Sequence, residues 1–205
     1  MVTVKKSKIL YLATKNQGKL KELITMLGKD FDVRLCSDLD KNISWDETGE
    51  TFVENALIKA QKLREYTNHP VLADDSGLEV EALDGAPGVY SSRYGGIEGD
   101  DERNNKKLLA ELTRLGVSSA RARFVCFLVY LGENGEKRVF EGSCEGHIAS
   151  KPRGNLGFGY DPLFVVAGGE RTLAEYSKEE KNTVSHRSRA LEKFHKAMSE
   201  GASSS

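Results

Sequence analysis

The five-residue apolar run Ile9-Leu10-Tyr11-Leu12-Ala13 is followed, after a polar stretch, by Leu20, Leu23, Ile24 and Leu27. A short continuous apolar run suits a strand buried on both faces, and apolar positions three and four apart suit a helix with one buried side. A strand leading into such a helix opens a βα unit and commits the chain to a sheet covered by helices. The polar stretch between them, Thr14-Lys15-Asn16-Gln17-Gly18-Lys19, is expected as the connecting loop. Free backbone N–H groups at a helix start can meet an anion there.

The alternation continues. Asp32 to Cys36 reads as a second strand, and Thr51-Phe52-Val53-Glu54 is a capping box ahead of Phe52, Val53, Ala56, Leu57, Ala60 and Leu63, a helix expected to reach Tyr66. Val71-Leu72-Ala73 is a third strand, expected to end in a turn at Asp74-Asp75-Ser76-Gly77. A long irregular excursion is expected through Asp84-Gly85-Ala86-Pro87-Gly88 to Gly95-Gly96, of a kind that serves binding or closure. Asp100 or Asp101 is placed to cap a helix carrying Leu108, Leu109, Leu112 and Leu115. Phe124 to Leu131 and Lys137 to Cys144 flank a Gly-containing turn as a hairpin, and Leu163 to Val166 is a last strand. A second capping box, Ser177-x-x-Glu180, precedes the stripe Ala190, Leu191, Phe194 and Met198. The reading is an α/β fold, a mixed twisted sheet with flanking helices, in one domain over 1–200 with a flexible tail at 201–205.

Composition narrows the partners. With 30 basic against 31 acidic residues the net charge is −1, which favours neither nucleic acid nor a membrane surface. No apolar stretch approaches membrane-spanning length, and the start of the chain, Met1 to Lys8, leads into too short an apolar run for a signal peptide. Cys36, Cys126 and Cys144 are odd in number and lack C-x-x-C spacing, so a reducing compartment, the cytoplasm, is expected.

Chemistry points first to Asp74-Asp75. Two adjacent acids repel, and burial penalises both charged forms, so a nearby cation is the natural resolution. Their ordinary alternative is loop solubility or helix capping. Asp46-Glu47-Thr48-Gly49-Glu50, just before the Thr51 helix, could add a carboxylate to the same hard cation. Mg2+ is held in this way by one or two carboxylates, with waters and phosphates completing its shell. The Thr14 to Lys19 stretch is not a Walker A loop, because the required glycine spacing is missing. Its Thr, Asn, Gly and Lys still suit a phosphate. Gly154 to Pro162 packs glycines around Phe158 and Tyr160, so a flat ligand could lie against the backbone and stack on Phe158. Lys181, His186 and Arg187 could converge on one anionic or carbonyl-bearing ligand, or form a solvated basic face. No G-x-S-x-G serine elbow is present.

Taken in order, Thr14-x-Asn16-x-x-Lys19, Thr51-Phe52-x-Glu54-Asn55-Ala56, Asp74-Asp75-Ser76-Gly77-Leu78, Gly85-Ala86-Pro87-Gly88-x-Tyr90-Ser91, Phe158-Gly159-Tyr160-Asp161 and Ser185-His186-Arg187 resemble the inosine triphosphate pyrophosphatase family. The resemblance implies two lobes around a long active-site cleft, a homodimer, and Mg2+-dependent hydrolysis of ITP, dITP and XTP to monophosphate and pyrophosphate. By position it implies Asp75 as water-activating base and metal ligand, with Asp46 as the second metal contact. It matches Thr14, Lys15, Asn16, Gln17, Gly18 and Lys19 to the triphosphate loop, and Lys59 and Ser76 to substrate contacts. Phe158, Gly159, Tyr160, Asp161, Lys181, His186 and Arg187 match segments that hold base and phosphates. Two positions depart from the family: Lys15 stands where a glycine is usual, and Asp46 where the metal-binding acid is commonly Glu, with Glu47 beside it. The alternatives are a pyrophosphatase for other modified nucleotides and a non-catalytic nucleotide sensor.

Overall fold

The structure is a computed structural model that describes residues 8–28 and 30–202. Strand β1 (Lys8–Ala13) leads into helix α1 (Gln17–Leu27) and strand β2 (Phe31–Leu35), and β1 pairs in parallel with β2 and with β3 (Val71–Val80). Helix α2 (Phe52–Arg64) lies between β2 and β3 in the chain, as a parallel crossover requires. Strands β4 (Ala120–Leu131) and β5 (Lys137–Ile148) are sheet neighbours joined by residues 132–136. That turn is closed by the Gly132 N–H donating to the Glu136 carbonyl at 2.8 Å, and so short a connection allows only an antiparallel return. Strand β6 (Phe164–Val166) pairs antiparallel with the end of β5. The six strands run β2-β1-β3-β4-β5-β6, with α3 (Asp101–Arg114), α4 (Lys178–Val184) and α5 (His186–Ala202) completing the chain. The mixed sheet with flanking helices expected from sequence is the one observed.

The chain divides into two compact units. The first comprises Met1–Asp75 and Phe127–Phe140, the second Ser76–Cys126 and Glu141–Ser205. In the first, Ala56, Ala60 and Leu63 of α2 pack with Ala13, Val71, Ala73 and Val129 of the strands. In the second, Leu108 and Leu112 of α3 pack with Leu78, Val80, Phe124, Ile148 and Phe164. Among the described residues no helix is long and apolar enough to cross a membrane. Cys36, Cys126 and Cys144 are buried and outside any disulfide.

Several boundaries differ from expectation. Strand β3 does not stop at Asp74: it continues to Val80, because Leu78 and Val80 re-enter a core and the acids find ionic partners. The loop after β1 is shorter, since the Asn16 side chain caps α1 and draws Gln17, Gly18 and Lys19 into its first turn. The excursion after β3 is largely ordered in two 3-10 turns, Glu81–Leu83 and Gly88–Arg93, pinned where Ser91 Oγ accepts from Leu78 N–H at 2.9 Å and donates to the Gly88 carbonyl at 2.6 Å. Helix α5 carries on to Ala202, into the segment expected as a tail. Residues 203–205, and residues 1–7 of the basic start, lie outside the described residues.

Candidate active site

In the first unit, β3 places Asp74 and Asp75 in sequence, and strand alternation turns neighbouring side chains to opposite faces. Each then takes its own lysine. Asp74, fully buried, pairs with Lys19 of α1 at 2.9 Å. Asp75 accepts from the Lys59 ammonium of α2 at 2.6 Å, and the same ammonium reaches Glu47 at 3.0 Å. Buried charge is tolerated only when paired, and this bridge pairs one buried cation with two acids. Burial pushes the Asp75 carboxyl above the usual carboxylate range, with Lys59 and Lys19 opposing it. Burial works to lower the Lys59 pKa, yet Asp75 and Glu47 outweigh it and hold the ammonium above its ordinary value.

The acidic loop that carries Glu47 is fastened to the start of α2. Asn55, fully buried, accepts from the Gly49 N–H at 2.8 Å, and Glu54 accepts from the Glu50 and Thr51 N–H groups at 2.8 and 3.1 Å. The loop therefore reaches Lys59 through Glu47, while Asp46 is exposed. The link to Asp75 runs through Glu47 and not through Asp46, the residue singled out by position. In the phosphate-loop candidate, the Thr14 hydroxyl accepts from the Asn16 N–H at 3.3 Å, and Asn16 Oδ1 accepts from the Lys19 N–H at 3.0 Å. Gln17 reaches back to the Lys15 carbonyl at 3.5 Å, and the Lys15 ammonium lies 5.5 Å from the Trp45 ring centroid. The extra lysine thus ties this turn to the acidic loop by a cation–π contact.

In the second unit, a group forms around Phe158. The Lys181 ammonium lies 4.7 Å from the centre of its ring and the Arg187 guanidinium 5.9 Å. Lys181 also pairs with Asp161 at 2.5 Å, and Asp161 accepts from the Phe158 N–H at 2.9 Å. Arg187, only 1% exposed, donates to Ser76 Oγ at 2.8 Å. Gly157 has φ of +76°, and a Cβ there would lie 2.0 Å from Asp161 Oδ2, so only glycine allows this turn to close on the carboxylate. The Gly159 N–H donates to Asp101 at 2.6 Å, and Asn105 donates to the Gly159 carbonyl at 2.9 Å. Tyr160 is buried with its hydroxyl donating to the Ser91 carbonyl at 2.9 Å, and burial pushes its pKa far up. His186 stacks on Phe124, centroids 4.8 Å apart.

Of the expected residues, the structure brings together Lys19 with Asp74, Lys59 with Asp75, and Phe158 with Asp161, Lys181 and Arg187, joined by Ser76 through Arg187. Tyr160 serves as a buried support for its loop. Asn55, Asp101 and Asn105 escaped the reading from residue types. For Asn55 the available signal was its place one residue beyond a capping-box Glu, where a buried amide can reach back to the incoming loop.

Fold and side chains together define a mixed α/β protein with a buried centre of paired acids and lysines. The chain belongs to the Ham1 family, whose family model matches residues 10–197. It is 47% identical over 186 residues to the dITP/XTP pyrophosphatase of Halalkalibacterium halodurans, covering 90% of this chain and 96% of that protein. It is 50% identical to the dITP/XTP pyrophosphatase of Exiguobacterium sp. AT1b, covering 90% and 94%. The solved structure of the Staphylococcus aureus Ham1 protein superposes with a TM-score of 0.83 at 42% identity, over 95% of this chain and 100% of that one. The family expected from the motifs is the family found.

Proposed function

We propose that the chain is a hydrolase of phosphoric anhydrides that converts the deaminated purine triphosphates ITP, dITP and XTP to the monophosphate and pyrophosphate, clearing them from the nucleotide pool. The observation that carries this reading is the bridge of Glu47 and Asp75 on one buried ammonium, in a chain so similar along its length to dITP/XTP pyrophosphatases. Asp75 is the base: its raised proton affinity suits it to orient the attacking water and take its proton. Lys19 and Lys59 offset charge on the phosphates, and the start of α1 after Thr14 offers them N–H groups. Phe158 stacks on the base, while Lys181 and Arg187 beside it supply donors toward its oxygen-bearing edge, and His186, stacked on Phe124, is assigned to the same segment by motif resemblance alone. Mismatched polar edges left unpaired would reject adenine.

Two carboxylates of hard oxygen, already gathered around a cation, suit Mg2+. Asp75 and Glu47 would hold Mg2+ with water and phosphate completing its shell. Bound there, the metal supplies charge stabilisation and lowers the pKa of coordinated water. A homodimer and a cytoplasmic location complete the proposal, the latter supported by three buried cysteines outside any disulfide. The decisive experiment is a panel of nucleoside triphosphates with pyrophosphate and orthophosphate measured separately, with and without Mg2+. Pyrophosphate from ITP, dITP and XTP is expected; orthophosphate as primary product overturns the reading, and tight ITP binding without product makes the chain a sensor.

A further inference from the structure

The geometry points to Asp101 and Asn105 as positioning residues that set base selectivity by holding the Gly159 peptide and, through it, the Phe158 ring. The inference rests on the reading of Phe158 as the surface on which the base stacks. Asp101 and Asn105 stand four residues apart on α3, hence on one face one turn apart. Between them they take both polar groups of Gly159: its N–H donates to Asp101 Oδ2 at 2.6 Å, and its carbonyl accepts from Asn105 Nδ2 at 2.9 Å. Gly159 has φ of +62°, a left-handed conformation that leaves its peptide without a strand or helix partner.

Two details argue that the clamp is more than a helix cap. Asp100, the neighbouring acid, already caps α3 by accepting from the Arg103 N–H at 3.0 Å, which leaves the Asp101 carboxylate for Gly159. Asn105 Oδ1 is buried without a hydrogen-bond donor, a cost that an apolar side chain would avoid. What the amide offers in return is its N–H to the Gly159 carbonyl. The preceding N–H, that of Phe158, is held by Asp161. The N–H groups of Phe158 and Gly159 and the Gly159 carbonyl are therefore held by side chains, the Phe158 carbonyl accepts from the Asp161 N–H at 3.2 Å, and the ring they carry has little freedom to shift. Hydrogen bonds to a base edge weaken steeply with misalignment, so freedom of the ring degrades nucleotide recognition while leaving phosphate chemistry alone.

The test compares Asp101→Ala, Asn105→Ala and Asp101→Asn with the wild-type enzyme. Asp101→Asn keeps an oxygen that can accept from Gly159. Steady-state kinetics with ITP and ATP are measured together with the Ki of inorganic pyrophosphate, a product without a base. Asp101→Ala is expected to raise KM for ITP roughly ten-fold, as loss of a charge-assisted hydrogen bond would, and Asn105→Ala, which removes a neutral one, about three- to five-fold. Their kcat and pyrophosphate Ki should hold, the preference for ITP over ATP should shrink, and Asp101→Asn should recover most of the loss. Unchanged KM in folded variants, or an equal rise in pyrophosphate Ki, overturns the inference. So does a wild-type enzyme that releases no pyrophosphate from ITP, which removes the functional reading as well; wild-type release with unaffected variants removes this inference alone.

Discussion

The Asp75 group and the Phe158 group solve opposite problems. Around Asp75, three carboxylates (Glu47, Asp74 and Asp75) meet two ammonium groups, Lys19 and Lys59; around Phe158, Asp161 pairs with Lys181, and Arg187 lies against the ring. In the first group two acids share one buried ammonium. The second sets two cations beside an aromatic face. Their supports differ too. Asp74, Asp75, Lys19 and Lys59 stand on β3, α1 and α2, whereas Phe158 stands on a loop whose backbone is held by Asp101, Asn105 and Asp161. Buried ion pairs need partners at fixed spacing, which regular elements provide. A stacking ring needs a particular backbone path, which glycines permit and distant side chains must then hold.

The largest expected effect tests the first group. Asp75→Asn should lower pyrophosphate release from ITP by about 10²–10⁴-fold, the usual contribution of a general base, while circular dichroism and the unfolding midpoint show a folded protein. Near wild-type turnover in that variant would break the contrast between a catalytic and a recognition group. Phe158→Ala tests the second group: KM for ITP should rise about ten-fold or more with the loss of base stacking, and pyrophosphate inhibition should be unaffected. Equal losses toward ITP and pyrophosphate would merge the two groups into one.

A smaller effect sharpens the acid assignment. Glu47→Gln should raise the Mg2+ concentration for half-maximal activity about ten-fold, and Asp46→Asn should leave it nearly unchanged. The reverse order, read by Mg2+ titration, would return the metal role to Asp46. The smallest effect concerns the packing near Asp161 and Lys181. Burial pushes the Cys144 thiol up to about 11 from an ordinary 9.0. A pKa raised on folding contributes stability that is full below the unfolded value and fades as pH rises through the folded one. The stability of wild type relative to Cys144→Ala should therefore decline between pH 9 and 11, measured as the denaturant midpoint; a flat difference would mean that the thiol is not desolvated.

Much of the fold was legible. The βα opening, both capping boxes and the hairpin are short-range patterns, and each appears within a few residues of its expected place. Motif resemblance also named Asp75, Lys59, Phe158 and Lys181, and the structure pairs Asp75 with Lys59 and sets Lys181 against the Phe158 ring. Two points needed partners far along the chain. Asp74-Asp75 looked like a strand end because two acids seldom continue a buried strand, and Lys19 and Lys59, brought from other elements, help make that continuation tolerable. Asp100 and Asp101 looked interchangeable until one proved to cap α3 and the other to hold Gly159.

By itself the sequence determined the order and type of the elements, the family, and which stretches carry acids, lysines and glycines. Hydrophobic period, capping and turn chemistry act over a few neighbours and are written in residue order. The tertiary structure alone decided which member of each acidic pair does what: Asp74 to Lys19 and Asp75 to Lys59, Glu47 and not Asp46 at the bridge, Asp100 at the cap and Asp101 at the loop. The physical reason is that a charge takes its role from its partner and its burial. Those partners stand far along the chain, where local pattern carries no information.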